Sequence, residues 1–206
     1  MRVKNTKSYP PIIFWSVILF MVAFMCSHKT AIGAEGDYLS LPMPQKFIPA
    51  LQADGTPQYI SGKDIENQLR EVSPVLRKFY YNDTIDKFIV PEHVWLGHLL
   101  EAYDALLSST GVRGKAETWD CENYSGMLNA ITTLRIWRAG FLDTRAAIGW
   151  LRVAGKQSWA GMPAGMHALM FATTSEGVFI IEPQNGQYVS LADYPNKKYI
   201  EEVYLF

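Results

Sequence analysis

The chain has 206 residues, 49% of them hydrophobic, enough for a globular domain with a real core. Its formal net charge is -1; residues 35–206 alone hold 15 Lys and Arg against 20 Asp and Glu, a net of -5. A mildly acidic body is not drawn to polyanions, so nucleic acid is not an expected partner.

Residues 1–34 carry Arg2, Lys4, Lys7 and Lys29 and no acid. An apolar run from Pro11 to Cys26 follows the basic start, and a short polar stretch ends at Ile32-Gly33-Ala34. This layout predicts a secretory signal peptide cut after Ala34. The run is shorter than the ~20 residues of a spanning helix; an uncut membrane tether through residues 11–26 is the alternative. Both place the body in an exported compartment, a bacterial periplasm or cell envelope. The sequons Asn82-Asp83-Thr84 and Asn123-Tyr124-Ser125 are read as chance matches, since a glycan on Asn123 would crowd Cys121.

Residues 35–90 are read as an extended arm and helical lead-in. Pro42, Pro44, Pro49 and Pro57 keep its first part irregular. From Asp64, the spacing of Ile65, Leu69, Val72, Leu76 and Phe79 predicts a helix, kinked or split by Pro74. Residues 91–206 are read as the main domain. Pro91 opens a helix whose stripe is Trp95, Leu96, Leu99, Leu100, Tyr103, Leu106 and Leu107, ended by Gly111 and Gly114. Tyr124, Met127, Leu128, Ile131 and Leu134 predict the next helix, with Cys121 in its first turn, Asp120 or Thr118 as N-cap, and Gly140 past its end. The texture then changes to strands: Ile148–Val153, His167–Thr173, a turn at Ser175-Glu176-Gly177, Val178–Glu182, a tight turn at Asn185-Gly186, Gln187–Leu191 and Tyr199–Phe206. Helices first and an antiparallel sheet second is an α+β order.

Cys121 and Cys26 are the only cysteines. If residues 1–34 are removed, Cys121 has no disulfide partner, and an unpaired thiol in an oxidising compartment is either buried and inert or reactive. A nucleophilic cysteine needs a lowered pKa, a base, and a group that orients the base. A helix start favours a thiolate. His167 opens one predicted strand and Glu182 closes the next, so antiparallel pairing brings them together. Cys121 is thus the candidate nucleophile, His167 the base and Glu182 the orienter. The Cys121 backbone N–H is one oxyanion donor; Gln184, Trp119 and Asp120 are candidates for the oxyanion hole or substrate groove. Each residue also has a plainer use: Cys121 as a small core residue, His167 as a satisfied strand residue, Glu182 as an edge-strand end, Trp119 as packing, and Asp120 and Glu122 as helix-start charges. His93 and His98 lie on different helix faces, and no CxxC or HExxH occurs, so no metal site is expected.

The segments "DCENY", "GMHALMF" and "IEPQNGQ" resemble the Asp-Cys, His-Ala and Glu-Pro-Gln motifs of the papain-like C-terminal domain of the Marasmius agglutinin family and its bacterial relatives. The resemblance covers residues 91–206. It implies a papain-like α+β fold and a Cys121-His167-Glu182 cysteine peptidase. It also implies activation by calcium, although no dense acidic loop is visible in this sequence; no other cofactor is expected. The family's sugar-binding trefoil has no counterpart in these residues, so glycan binding is not implied. Bacterial transglutaminase-like cysteine peptidases share the Asp-Cys-Glu start but pair histidine with aspartate. The expectation is an exported hydrolase that cuts an amide bond in a protein or a peptidoglycan peptide. The alternatives are a non-catalytic binding or assembly module on the same fold, and an acyl transferase using the same thiol.

Overall fold

The structure is a computed structural model and describes residues 46–81, 87–112 and 120–205. The signal or anchor expected in residues 1–34 and the candidate Trp119 lie outside the described residues, as does Thr118. The described residues belong to one compact unit, Pro42–Phe206; none of their helices is long and apolar enough to cross a membrane.

Strand β1 (Tyr59–Ser61) runs into helix α1 (Gly62–Val72). Ser61 caps α1: its side chain accepts from the Asp64 N–H, and its hydroxyl donates to the Asp64 carboxylate. Pro74 ends this helix rather than kinking it. The residue before a proline is pushed out of the α region, and Ser73 is extended with ψ 94°. Leu76 therefore packs from a loop, and Phe79 sits in strand β2 (Lys78–Tyr81) instead of on the helix.

Strand β3 (Lys87–Ile89) precedes helix α2 (His93–Thr110), which buries Trp95, Leu96, Leu99, Leu100, Tyr103 and Leu107 and ends at Gly111 in the left-handed region, φ 64°. Helix α3 (Cys121–Arg138) begins on Asp120, whose side chain accepts from the Asn123 N–H. The remaining strands are β4 (Arg145–Ala146), β5 (Ile148–Gly155), β6 (Gly165–Thr174), β7 (Gly177–Ile181), β8 (Tyr188–Ser190) and β9 (Ile200–Leu205).

Six strands form a sheet in the order β2-β9-β5-β6-β7-β8, and β1-β3-β4 form a smaller one. The α+β class holds, but the sheets are mixed: β2 pairs with β9 in parallel, as does β3 with β4. Residues 59–89 supply β1, α1, β2 and β3, so both sheets draw on the stretch expected to be a lead-in. Further upstream, Phe47 is buried with its ring edge-on to Trp95 at 4.8 Å.

Alternation along the strands sorts the core. Leu151 and Val153 of β5, Leu169 and Phe171 of β6, Ile180 of β7 and Val203 and Leu205 of β9 pack with Ile65 and Leu69 of α1. Helix α3 packs against β6 and β5, and its buried Ser125 reaches Ala168.

Candidate functional site

The site forms where β7 stops. Strand β6 pairs with β7 from Thr174↔Gly177 to Met170↔Ile181. Two residues further along, the same register would set Ala168 opposite Pro183. A proline has no N–H to give, and the ladder ends there. The Thr173 N–H points away from β7, to the Ala147 carbonyl, so by alternation the backbone groups of Ala168 face the gap.

Helix α3 fills that gap. The Ala168 N–H donates to Cys121 Sγ at 3.3 Å, and Ser125 Oγ donates to the Ala168 carbonyl at 3.4 Å. Cys121 and Ser125 are one helical turn apart, so one face of the first turn of α3 replaces the missing strand. Ser125 was not among the residues singled out from the sequence. The signal was available: Ser four residues after the Cys, and Pro directly after the Glu.

His167 precedes Ala168 on β6 and pairs with Val153 of β5. It lines a small cavity with Trp159, Leu169, Glu182, Tyr194 and Asn196. Glu182, one residue past β7, is fully buried. Its Oε1 accepts from the Gln184 N–H at 3.0 Å, and its Oε2 has no hydrogen-bond partner among the described residues. Cys121, His167 and Glu182 are thus gathered at one strand end.

They are not hydrogen-bonded to one another as a triad. His167 Nε2 lies 2.8 Å from the Pro163 carbonyl, which can only accept, so Nε2 carries the proton. Burial pushes the Cys121 thiol above its ordinary range; the Ala168 N–H opposes this, and the carboxylates of Asp120 and Glu122 add to the rise. In this conformation desolvation and the two adjacent acids outweigh the backbone N–H groups, so the resting thiol is not the lowered one expected of a helix start. Burial likewise raises the Glu182 pKa, against the Gln184 N–H and the charge of a protonated His167. Burial raises that of Tyr194 too; its hydrogen bond with Asn196 opposes the rise, and the Glu182 charge adds to it.

The other candidates divide. Asp120 is exposed and spends an oxygen on capping α3. Gln184 reaches the site through its backbone N–H; its side chain makes no hydrogen bond among the described residues. Also among the described residues, no three His, Cys, Asp or Glu side chains gather where a metal could sit.

No protein-family model matches the chain, and no curated protein does. Solved structures do. A chain described as the "PSL1a-E64 complex" matches with TM-score 0.51 at 18% identity, over 71% of this chain and 50% of that one. The Polyporus squamosus lectin, bound to the human-type influenza-binding epitope Neu5Aca2-6Galb1-4GlcNAc, matches with the same score and identity, over 71% of this chain and 49% of its own. The chain spans about half the length of these structures. At that identity the likeness is one of fold: an α+β architecture shared with part of a fungal lectin chain.

Proposed function

We propose that the chain is an exported cysteine-dependent hydrolase of papain-like fold that cuts an amide bond in a protein or peptidoglycan peptide. The supporting observation is the seating of Cys121 Sγ on the Ala168 N–H, next in the chain to His167, with Glu182 on the same cavity as the imidazole. In the proposed cycle His167 takes the Cys121 proton and the thiolate adds to the substrate carbonyl. The oxyanion faces the Cys121 N–H at the start of α3. His167 then gives its proton to the leaving amine. Water, deprotonated by His167, displaces the thiol from the thioester and releases the acid. Glu182 orients the imidazole and offsets its positive charge. Support of a second kind comes from the neighbour described as a complex with E64, which makes E64 the first ligand to try on this chain.

The test is E64 on the full-length chain, with adducts mapped by mass spectrometry. Covalent labelling confined to the Cys121 peptide, lost in His167→Ala, supports the proposal, and peptides and muropeptides then become the substrate screen. A Cys121 left unmodified by both E64 and iodoacetamide at pH 8.5 removes the catalytic reading.

The second reading is a non-catalytic binding or assembly module. The observation favouring it is the resting geometry itself: a thiol kept neutral by burial and an imidazole turned to a backbone carbonyl. The lectin neighbour was solved with a sialylated glycan, which makes glycans a ligand class to screen on the Cys121→Ala protein. An acyl transferase would use the same thioester, with an amine in place of water.

A further inference from the structure

We propose that the loop of residues 156–164 is a latch that holds His167 off Glu182, and that its release lets the two pair and arms Cys121. This rests on the catalytic reading above and adds its regulation.

The loop is a built element. Trp159 and Met162 exchange two backbone hydrogen bonds, Trp159 N–H to Met162 O at 3.0 Å and Met162 N–H to Trp159 O at 2.8 Å. The two residues between them, Ala160 (φ 52°) and Gly161 (φ 81°), are both left-handed, as the tightest hairpin turn demands. Two asparagines clasp it. Asn196, 3% exposed, accepts from the N–H groups of Lys156 and Gln157 at 2.8 and 3.0 Å and donates to the Gln157 carbonyl at 2.8 Å. Asn185 donates to the Ala160 carbonyl at 2.7 Å. The Trp159 ring stands edge-on to Tyr194, 5.1 Å between centroids.

So clasped, the loop presents the Pro163 carbonyl to His167 Nε2 at 2.8 Å. A neutral imidazole has one N–H. Spent on Pro163, it leaves nothing for Glu182, which lines the same cavity and whose buried Oε2 has no partner among the described residues. An unpartnered buried carboxylate oxygen is costly, and the donor that would relieve it is the one the loop has taken. The Pro163 and Glu182 contacts therefore exclude each other and define two states. In the first the ring is tied to the loop and its charged form meets the Glu182 carboxylate only through space, with no hydrogen bond between them. In the second Glu182 accepts from the ring directly, and the Cys121 proton has somewhere to go.

The test is the rate of iodoacetamide alkylation of Cys121 at pH 7 on the full chain, followed on the Cys121 peptide. Asn185→Ala removes one clasp at a residue outside the cavity lining, together with the acceptor of the Gln187 N–H, and Gly161→Ala, which leaves that turn intact, strains the loop as a second way of loosening it. Each is expected to speed labelling about fivefold, the population shift produced by losing one loop hydrogen bond, and His167→Ala added to either is expected to abolish the gain. Unchanged or slower labelling in both loosened variants, with His167→Ala slowing the wild type, overturns the latch and leaves the triad standing, with Pro163 as the permanent orienter of the ring. No effect of His167→Ala in any background overturns the latch and the triad together.

Discussion

Glu182→Gln should stabilise the protein while silencing its thiol. The carboxyl is fully buried, receives one backbone N–H from Gln184, and leaves Oε2 without a partner. Glutamine keeps the shape and the Gln184 contact and removes the charge. A buried charge costs more than a neutral amide in the same unpartnered place, so the variant gains roughly 1–2 kcal/mol at pH 7.5. Burial raises the folded pKa above its ordinary value of 4.5, so the folded state holds the proton longer than the unfolded one. The stability this gives the wild type is fully present below pH 4.5 and is lost as pH rises through the folded pKa. The gap in favour of Glu182→Gln therefore opens with rising pH and closes near pH 4. Urea unfolding of both proteins at pH 4, 5.5 and 7.5 measures it: with a slope of about 2 kcal/mol per molar, the midpoint at pH 7.5 moves up by roughly 0.5–1 M. Cys121 alkylation in the variant should fall toward the level of His167→Ala. A variant less stable than wild type at pH 7.5, or a gap independent of pH, would refute the claim that Glu182 is held at a cost for His167.

Substitutions at three other positions probe the frame. Asp120→Asn keeps the cap on α3 and removes a carboxylate that raises the Cys121 pKa, so alkylation at pH 7 should quicken with the melting temperature unchanged; Asp120→Ala should quicken it too but lose about 1 kcal/mol of stability. Ser125→Ala leaves the Ala168 carbonyl without its hydroxyl donor and should lower Tm by about 2–4 °C, for a loss of about 1 kcal/mol, read by thermal unfolding. Gly149→Ala drives a Cβ into the Tyr204 carbonyl oxygen and the Phe171 ring; the backbone cannot yield as a flexible side chain does, so the loss should reach about 3 kcal/mol, measured by urea unfolding.

Periodicity carried the helices because their apolar stripes are long. Tyr124 and Leu128 are buried where the spacing placed them, and Asp120 caps the helix as its side chain allows. The strands from 148 onward were legible within two or three residues because Gly177 and Asn185-Gly186 punctuate them. The segment before residue 91 was harder. Leu76 and Phe79 fall at helical spacing by accident, and only the rule about the residue before Pro74 separates them from α1. Parallel pairing of β2 with β9 joins residues more than a hundred positions apart, which no local pattern encodes. Within the site, sequence order brought Cys121, His167 and Glu182 to mind but not the Pro163 carbonyl, since a backbone acceptor has no residue-type signature.

The dipeptide Glu182-Pro183 explains why these groups meet where they do. Were residue 183 able to donate, β7 could extend its ladder past Met170↔Ile181, and Ala168 would be paired within the sheet. The Cys121 sulfur would then have no N–H to rest on. Because proline stops the ladder, the strand end opens both backbone groups of Ala168 to helix α3. The residue before that stop is the last one the β7 backbone still positions. Its Oε1 is caught by the Gln184 N–H just beyond the proline, which keeps Oε2 on the cavity that His167 lines. The same break thus admits the thiol to the Ala168 N–H and keeps the carboxylate on the cavity that the imidazole lines. Moving the proline one residue later would return an N–H to position 183, let the ladder close over Ala168, and take from Cys121 the N–H it rests on.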